Sequence, residues 1–246
     1  DQARAFMAKQ RAPCVVKPAR GTGAGAGVIT GIDNDRALYR AAVAASVHCK
    51  DLLIEETIVG HSYRLLFLNG KYLHGVKRNP PQVKGDGRST IRELIKAENR
   101  RRQQSSHIES LFPISVDQEC RTTLRAQSLE LASRPMAGER IVVKRVVNQN
   151  AAGENIDITG QVHPGILQTG AQASARLGLQ LAGVDVLTED ISRPLADTAG
   201  VINEINGSPG LHHHYLTAQG GDPAIAEKLL RYCLPVSNKS YARQTP

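Results

Sequence analysis

Asp185, Glu204 and Asn206 are the residues whose types and spacing most directly suggest chemistry. Glu204 and Asn206 stand two apart in "VINEINGSPG" (201–210), where Val201, Ile202 and Ile205 read as a short buried strand, so both polar side chains fall on one face. A buried carboxylate is costly unless it is paired or holds a metal. Asp185 is the single acid of a second apolar run, "AGVDVLT" (182–188), and pairing of the two strands would set it beside them. Two carboxylates and an amide oxygen are hard donors suited to Mg2+, with Mn2+ as a substitute, bound together with phosphate oxygens. The structural alternative has Asp185 capping a turn and Asn206 bonding to the Ser-Pro-Gly turn. It accounts for Asn206 and leaves Glu204 unexplained.

A second candidate is the glycine-rich loop "ARGTGAGAG" (19–27), between the strand-like "PCVVKP" (13–18) and "VITGI" (28–32). Gly21, Gly23, Gly25 and Gly27 would bare backbone N–H groups that phosphate oxygens can approach, with Lys17 before the loop and Arg20 at its edge. It is no P-loop, lacking Gly-Lys-Ser/Thr, and no dinucleotide fingerprint, since a strand rather than a helix follows. A mobile hairpin is the plainer reading of this loop alone. Together with the acidic trio and the extended "LLIEETIVG" (52–60), it describes a nucleotide gripped between two sheets.

The elements that must position these residues follow from local pattern. Asp33 or Asn34 can cap an Ala-rich helix over 35–48. "DLLIEETIV" (51–59) and "SYRLLFLNGKYLHGVKR" (62–78) read as strands, the latter a hairpin about Asn69-Gly70, so 13–78 is expected as one unit. Ser89 can cap a helix over 90–99, "RRRQQSSHIES" (100–110) reads as an exposed mobile loop, 139–148 as a strand and 149–160 as a polar loop. Helices are expected over 163–179, with Pro164 at the first position and His163 fixing its start, and over 223–233. The irregular alternation of strands and helices argues an α+β fold with mixed sheets.

Composition bounds the function. At 41% hydrophobic and 22% charged, the 246 residues suit one large domain or two lobes; with 4% aromatics, Val, Ile, Leu and Ala must build the core. Cys14, Cys49, Cys120 and Cys233 are scattered without metal-ligand spacing, as reduced structural thiols in a cytoplasmic setting would be. No apolar run approaches the roughly 20 residues that span a bilayer, so no membrane partner is expected. The chain opens on Asp with helix-like sequence at once, and a preceding segment is expected. Of the net charge of +8, residues 77–102 hold a local +6, from nine Lys or Arg against Asp86, Glu93 and Glu98. A polyanionic substrate or nucleotide fits this zone, as does a solvated helix face. A nucleic-acid-binding domain is the weaker choice, since no stacking aromatics interleave.

The chain resembles the ATP-grasp ligases, above all the ATP-grasp region of the cyanophycin synthetases and less closely the glutathione-synthetase part of the fused bacterial enzymes. The resemblance lies in "VVKPARGTGAGAGV", "IEETIVGHSYRLL", "KRNPPQVKGDGRSTIRELIKAEN", "VVNQNAAGENIDITGQVHP", "LGLQLAGVDVLTED" and "INEINGSPG", in order over roughly residues 10–235. It implies the ATP-grasp fold, with a central lobe at 1–78, a C-terminal lobe at 79–235 and a tail at 236–246. It implies ATP and Mg2+ as cofactors and an ADP-forming ligase that joins a carboxylate to an amine through an acyl phosphate. The substrate would be a small molecule or peptide, acidic in character; a homo-oligomer is left open. Lys17 would contact the adenine and the first phosphate, loop 21–27 would fold over the outer phosphates, Glu55 and the backbone of Glu56 and Ile58 would meet the adenine, and Asp185, Glu204 and Asn206 the metal. Arg64, Arg78, Lys144 and Arg145 would line the face of phosphoryl transfer. Ser62 stands where relatives carry an acid for the ribose. Asn150 to Gly153 replaces the family's Ser-Thr-Gly-Gly loop, a substrate-side position with Ser208 and His214. His212, His213 and His214 replace a single family histidine, and capping a turn is the simpler role for them. A non-catalytic ATP-binding regulatory module is the alternative function.

Overall fold

The computed structural model describes residues 2–10, 12–22, 26–104, 112–145, 147, 155–217 and 224–234, and it is an α+β structure of antiparallel sheets. Helix α1 (Gln2–Met7) leads into β1 (Cys14–Pro18), which pairs antiparallel with both β2 (Ile29–Ile32) and β3 (Leu52–Glu56) in a sheet of order β2-β1-β3. Helix α2 (Asp35–Ser46) starts where the Asn34 side chain accepts from the Ala37 N–H at 2.9 Å. It buries Leu38, Ala41 and Ala45 against Cys14, Val16 and Ile32. Period-2 alternation then turns Val15, Lys17, Leu53 and Glu55 to the opposite face, away from the helix.

The second sheet has the order β10-β9-β4-β5-β8, all antiparallel: β4 (His61–Leu68), β5 (Lys71–Arg78), β8 (Ile156–Asp157), β9 (Leu181–Thr188) and β10 (Val201–Asn206). Asn69 and Gly70, both at positive φ, make the tight β4–β5 turn that the Asn-Gly pair predicts. The expected 13–78 unit does not hold. Strands β4 and β5 leave the glycine-loop sheet: β4 pairs with β9 and β5 with β8, because the apolar run of β4, buried on both faces, needs partners on both edges and cover on both sides. One face of this sheet packs Tyr63, Leu65, Phe67, Val184 and Val186 against Ile166 of α5 (Pro164–Arg176). His163 caps α5 as expected, accepting from the Gly165 N–H at 3.1 Å. The other face is covered only in part, at Leu66 and Leu68 by Ile225 and Leu229 of α7 (Ala224–Cys233), and beside them by α6 (His212–Tyr215).

A third core forms between the two-stranded sheet β6 (Gln82–Lys84)–β7 (Arg140–Val142), α3 (Ile91–Gln104) and α4 (Gln118–Arg125). Three sequence expectations are corrected here. The cap of α3 is Thr90, whose hydroxyl accepts from the Glu93 N–H at 3.3 Å while the Glu93 carboxylate accepts from the Thr90 N–H at 2.8 Å; Ser89 instead donates to Asp86. The helix runs on through Arg100–Gln104, tied by Glu98 to Arg101 and Arg102, where a loop was expected. Of the strand expected over 139–148, the described residues form one only at Arg140–Val142, and α4, capped by Asp117, is an element the sequence reading lacks.

Gly183 on β9 is needed by the polar end of this sheet. A Cβ there would lie 2.6 Å from Pro209 Cβ and 3.1 Å from Arg64 Cδ and Nη1. Gly183→Ala should therefore cost about 1–3 kcal/mol through displaced neighbours, read as a lowered midpoint in urea unfolding at unchanged slope.

Candidate functional site

The uncovered end of the large sheet and the helix-free face of the β1–β3 sheet look onto one cleft of about 930 Å³. Lys17, Glu55, Glu56 and Ile58 line it from one side; Ser62, Arg64, Arg78, Asp185, Glu204 and Asn206 line it from the other, with Arg145 at its edge. Chain crossing between the sheets falls in 57–60, which belongs to no strand or helix.

Its polar floor is set by strand register. Asp185 lies directly opposite Arg64 on β4 and opposite Glu204 on β10. Arg64 grips the Asp185 carboxylate with two donors, Nε to Oδ1 and Nη2 to Oδ2 at 3.0 Å, and Arg78 Nη2 approaches Oδ2 at 3.1 Å. All three are buried: 7%, 3% and 2% exposed for Arg64, Arg78 and Asp185. Burial draws the Arg78 guanidinium below its usual value, and Asp185 works against that shift. Arg78 also donates to Ser62 Oγ from Nε at 3.1 Å and Nη2 at 2.6 Å, while its buried Nη1 has no partner among the described residues. Asp185 is thus a structural anion first. Both its oxygens already carry guanidinium bonds.

Glu204 differs from its sequence expectation. It is exposed rather than buried, because β10 is the sheet edge and a β-bulge between Ile202 and Glu204 shifts the pairing. The carboxylate makes no hydrogen bond or ion pair among the described residues, although the Arg78 charge reaches it through space. Asn206 donates only a long Nδ2 contact to the Gly183 carbonyl at 3.5 Å. The donor set therefore fits a hard cation: two uncommitted oxygens, Glu204 and Asn206, beside a third shared with arginine.

On the facing sheet Lys17 pairs with Glu55 at 2.8 Å. Gly21 and Gly27 hold positive φ at the two ends of the loop but neither lines the cleft, whereas Arg20 and Thr22 do. Gly23 and Gly25 lie outside the described residues, as do Asn150 and Gly153. Three further expectations are corrected. Lys144 is buried away from the cleft, bound to Asp117 at 2.6 Å, Glu119 at 3.2 Å and Ser115 at 2.9 Å. Burial alone would raise the Asp117 carboxyl, but hydrogen bonds from Lys144, Cys120 N–H and Ser115 hold it low. Ser208 is exposed outside the cleft lining. His214 is fully buried beneath β5, its Nδ1 3.0 Å from that of His74. The 212–214 run forms helix α6 packed beside β5, outside the cleft lining.

Sequence reasoning missed Asn203, which the bulge delivers to the cleft, and the apolar wall of Val15, Leu53 and Leu187. Alternation with Lys17 and Glu55 could have found Val15 and Leu53. Nothing in the sequence marks the bulge.

No family model matches the chain. Over 231 residues it is 33% identical to a cyanophycin synthetase of Crocosphaera subtropica, covering 93% of this chain and 26% of that protein. It is 32% identical over 184 residues to the glutathione biosynthesis bifunctional protein of Listeria welshimeri, covering 74% and 23%. A bifunctional glutathione synthetase from Pasteurella multocida shares the fold at TM-score 0.56 and 22% identity, over 95% of this chain and 32% of that one. The fold is that of the ATP-grasp ligases, and the sequence is similar to part of the cyanophycin synthetases. It spans about a quarter of the length of the curated relatives it matches. No helix of the ATP-grasp chain is long and apolar enough to cross a membrane, among the described residues.

The two acids of this ATP-grasp cleft separate by mutation. Asp185→Asn strands two buried guanidinium groups and should cost about 3–5 kcal/mol of stability, whereas exposed Glu204→Ala should stay within about 0.5 kcal/mol of wild type; urea unfolding of both checks this. Acid should also weaken the fold. Burial first, then His212, Arg78 and Arg64, push His213 down to about 2; burial and His74 push His214 to about 3. Both imidazoles are neutral in the folded state, so unfolding takes up their protons below the unfolded value. Stability should fall as pH drops from about 6.5 towards 3, by about 1.4 kcal/mol per unit per histidine at full slope. His213→Gln should flatten that slope in urea midpoints measured from pH 7 to 5.

Proposed function

We propose that the chain is the nucleotide-binding part of an ATP- and Mg2+-dependent ligase that joins a carboxylate to an amine, on an amino acid or peptide. One observation carries it: Glu204, exposed and without an ion-pair partner among the described residues, faces a cleft whose opposite wall presents Lys17 and the apolar Val15 and Leu53. An apolar wall suits a base, and a cation with an open acid suits phosphates and their metal.

Val15, Leu53 and Leu187 would flank the adenine, with the unpaired backbone of 57–58 at its edge. Lys17 would leave Glu55 for a phosphate oxygen. Glu204 and Asn206 would hold Mg2+, with Asp185 contributing an oxygen between its arginines. Among the described residues no group of three His, Cys, Asp or Glu is arranged to hold a metal, so phosphate oxygens would complete the shell. Bound there, Mg2+ would neutralise phosphate charge and orient the outer phosphate. A substrate carboxylate would attack that phosphate to give an acyl phosphate and ADP, and an amine would then displace phosphate to form the amide. Arg78 supplies an unpartnered donor, Nη1, and Arg64 a second cation, fixed before charge develops on the transferring group. Arg145 lies at the cleft edge because its backbone N–H donates to Glu119 at 2.8 Å, the acid that also holds Lys144. Its charge can meet an acidic substrate at entry.

Titration calorimetry of ATP with and without Mg2+ tests this reading. Binding should require Mg2+, weaken about tenfold or more in Glu204→Ala, roughly 1.4 kcal/mol or beyond, and weaken comparably in Lys17→Ala. Unchanged affinity in Glu204→Ala would contradict the metal assignment. ADP release screened over carboxylate–amine pairs then separates a ligase from the regulatory module, which would bind MgATP and release none.

A further inference from the structure

The basic stretch 77–102 does not fold into one surface. Lys77 and Arg78 belong to β5 in the large sheet, and Arg101 and Arg102 are tied to Glu98. Arg92 instead meets Arg121 and Arg125 around a separate cavity of about 450 Å³, between the start of α3 and the end of α4. These side chains come from two helices, and the i, i+4 spacing puts Arg121 and Arg125 on one face of α4. None of the three guanidinium groups makes a hydrogen bond or ion pair among the described residues. Glu130 also lines the cavity yet lies in ion-pair contact with none of them. Its floor is apolar, formed by Leu124 and Leu131.

A structural role explains only part of this. Arg125 sits in the last turn of α4, where a cation offsets the helix dipole. Arg121 and Arg92 gain nothing from that end, and like charges gathered without a partner repel. We propose that this cavity is a second anion site, distinct from the ATP-grasp cleft, for a phosphate monoester bearing an apolar organic group. Three guanidinium charges against one carboxylate leave an excess of +2, which matches a phosphate monoester at about −1.5 to −2 near pH 7. Guanidinium forks match phosphate oxygens bidentately. Leu124 and Leu131 offer the organic group an apolar surface, which bare phosphate would not use.

Calorimetric titration of phenyl phosphate into the chain tests the site, with inorganic phosphate and succinate as comparison ligands. Saturable binding of phenyl phosphate should fall at least tenfold in Arg121→Gln/Arg125→Gln, tighten several-fold in Glu130→Gln, and be unchanged in Lys17→Ala. The arginine and Glu130 changes are on exposed side chains and Lys17 is half-buried, and far-ultraviolet circular dichroism of each variant verifies folding. Binding that survives the double arginine change, that disappears in Lys17→Ala, or that is absent from the wild type would overturn the site. Succinate binding as tightly as phenyl phosphate would overturn the phosphate assignment, and inorganic phosphate doing so would overturn the apolar group. MgATP binding at the cleft is measured separately, so failure of either site leaves the other standing.

Discussion

The ion pair of Arg64 with Asp185 is the interaction on which this architecture turns. Two guanidinium groups and one carboxylate sit inside a sheet, almost sealed from water, and such burial is tolerated only when every charge has a partner. Strand register supplies the partners, because Arg64 and Asp185 are opposed across β4 and β9 and Arg78 is opposed to Ser62 across β5 and β4. Gly183 leaves the space through which the Arg64 side chain passes. The same register places Glu204 next in the row, at an edge where it has no ion-pair partner among the described residues. The result is a fixed cationic floor with one open acid at its rim.

Helix cover decides where that floor is open. α7 seals Leu66 and Leu68, and α6 buries His213 and His214 beside them, so the sheet face is dry up to the arginines and wet beyond. The β1–β3 sheet supplies the opposite wall because α2 takes one of its faces and leaves the other with Val15, Lys17, Leu53 and Glu55. A base and a phosphate chain need those two kinds of surface side by side. Cleft charge is held in part from a distance: Glu119, paired with the buried Lys144, anchors the backbone of Arg145.

Much of this was legible in the sequence, for physical reasons that can be named. Asn69-Gly70, the Asn34 cap and Pro164 are local signals, and each marks its element correctly. That the Asp185 and Glu204 strands pair followed from two apolar runs, each interrupted by one acid; their antiparallel direction came from the structure. Sheet membership was not legible, since the run 62–78 looks alike whichever sheet it joins. Side-chain direction at Lys144 was equally hidden, because its partners Asp117 and Glu119 belong to a helix with only eight residues of pattern. Glu204 read as a buried acid because three apolar neighbours suggest a core strand, whereas a bulged edge strand meets the same pattern with its acid in water.

A crystal structure of the chain with Mg2+ and a non-hydrolysable ATP analogue tests the central claim most directly. The account predicts the base between the two sheets against Val15 and Leu53, and the metal ligated by Glu204 and Asn206 while Asp185 keeps its arginines. Nucleotide bound outside this cleft, or a metal held without Glu204, would contradict it.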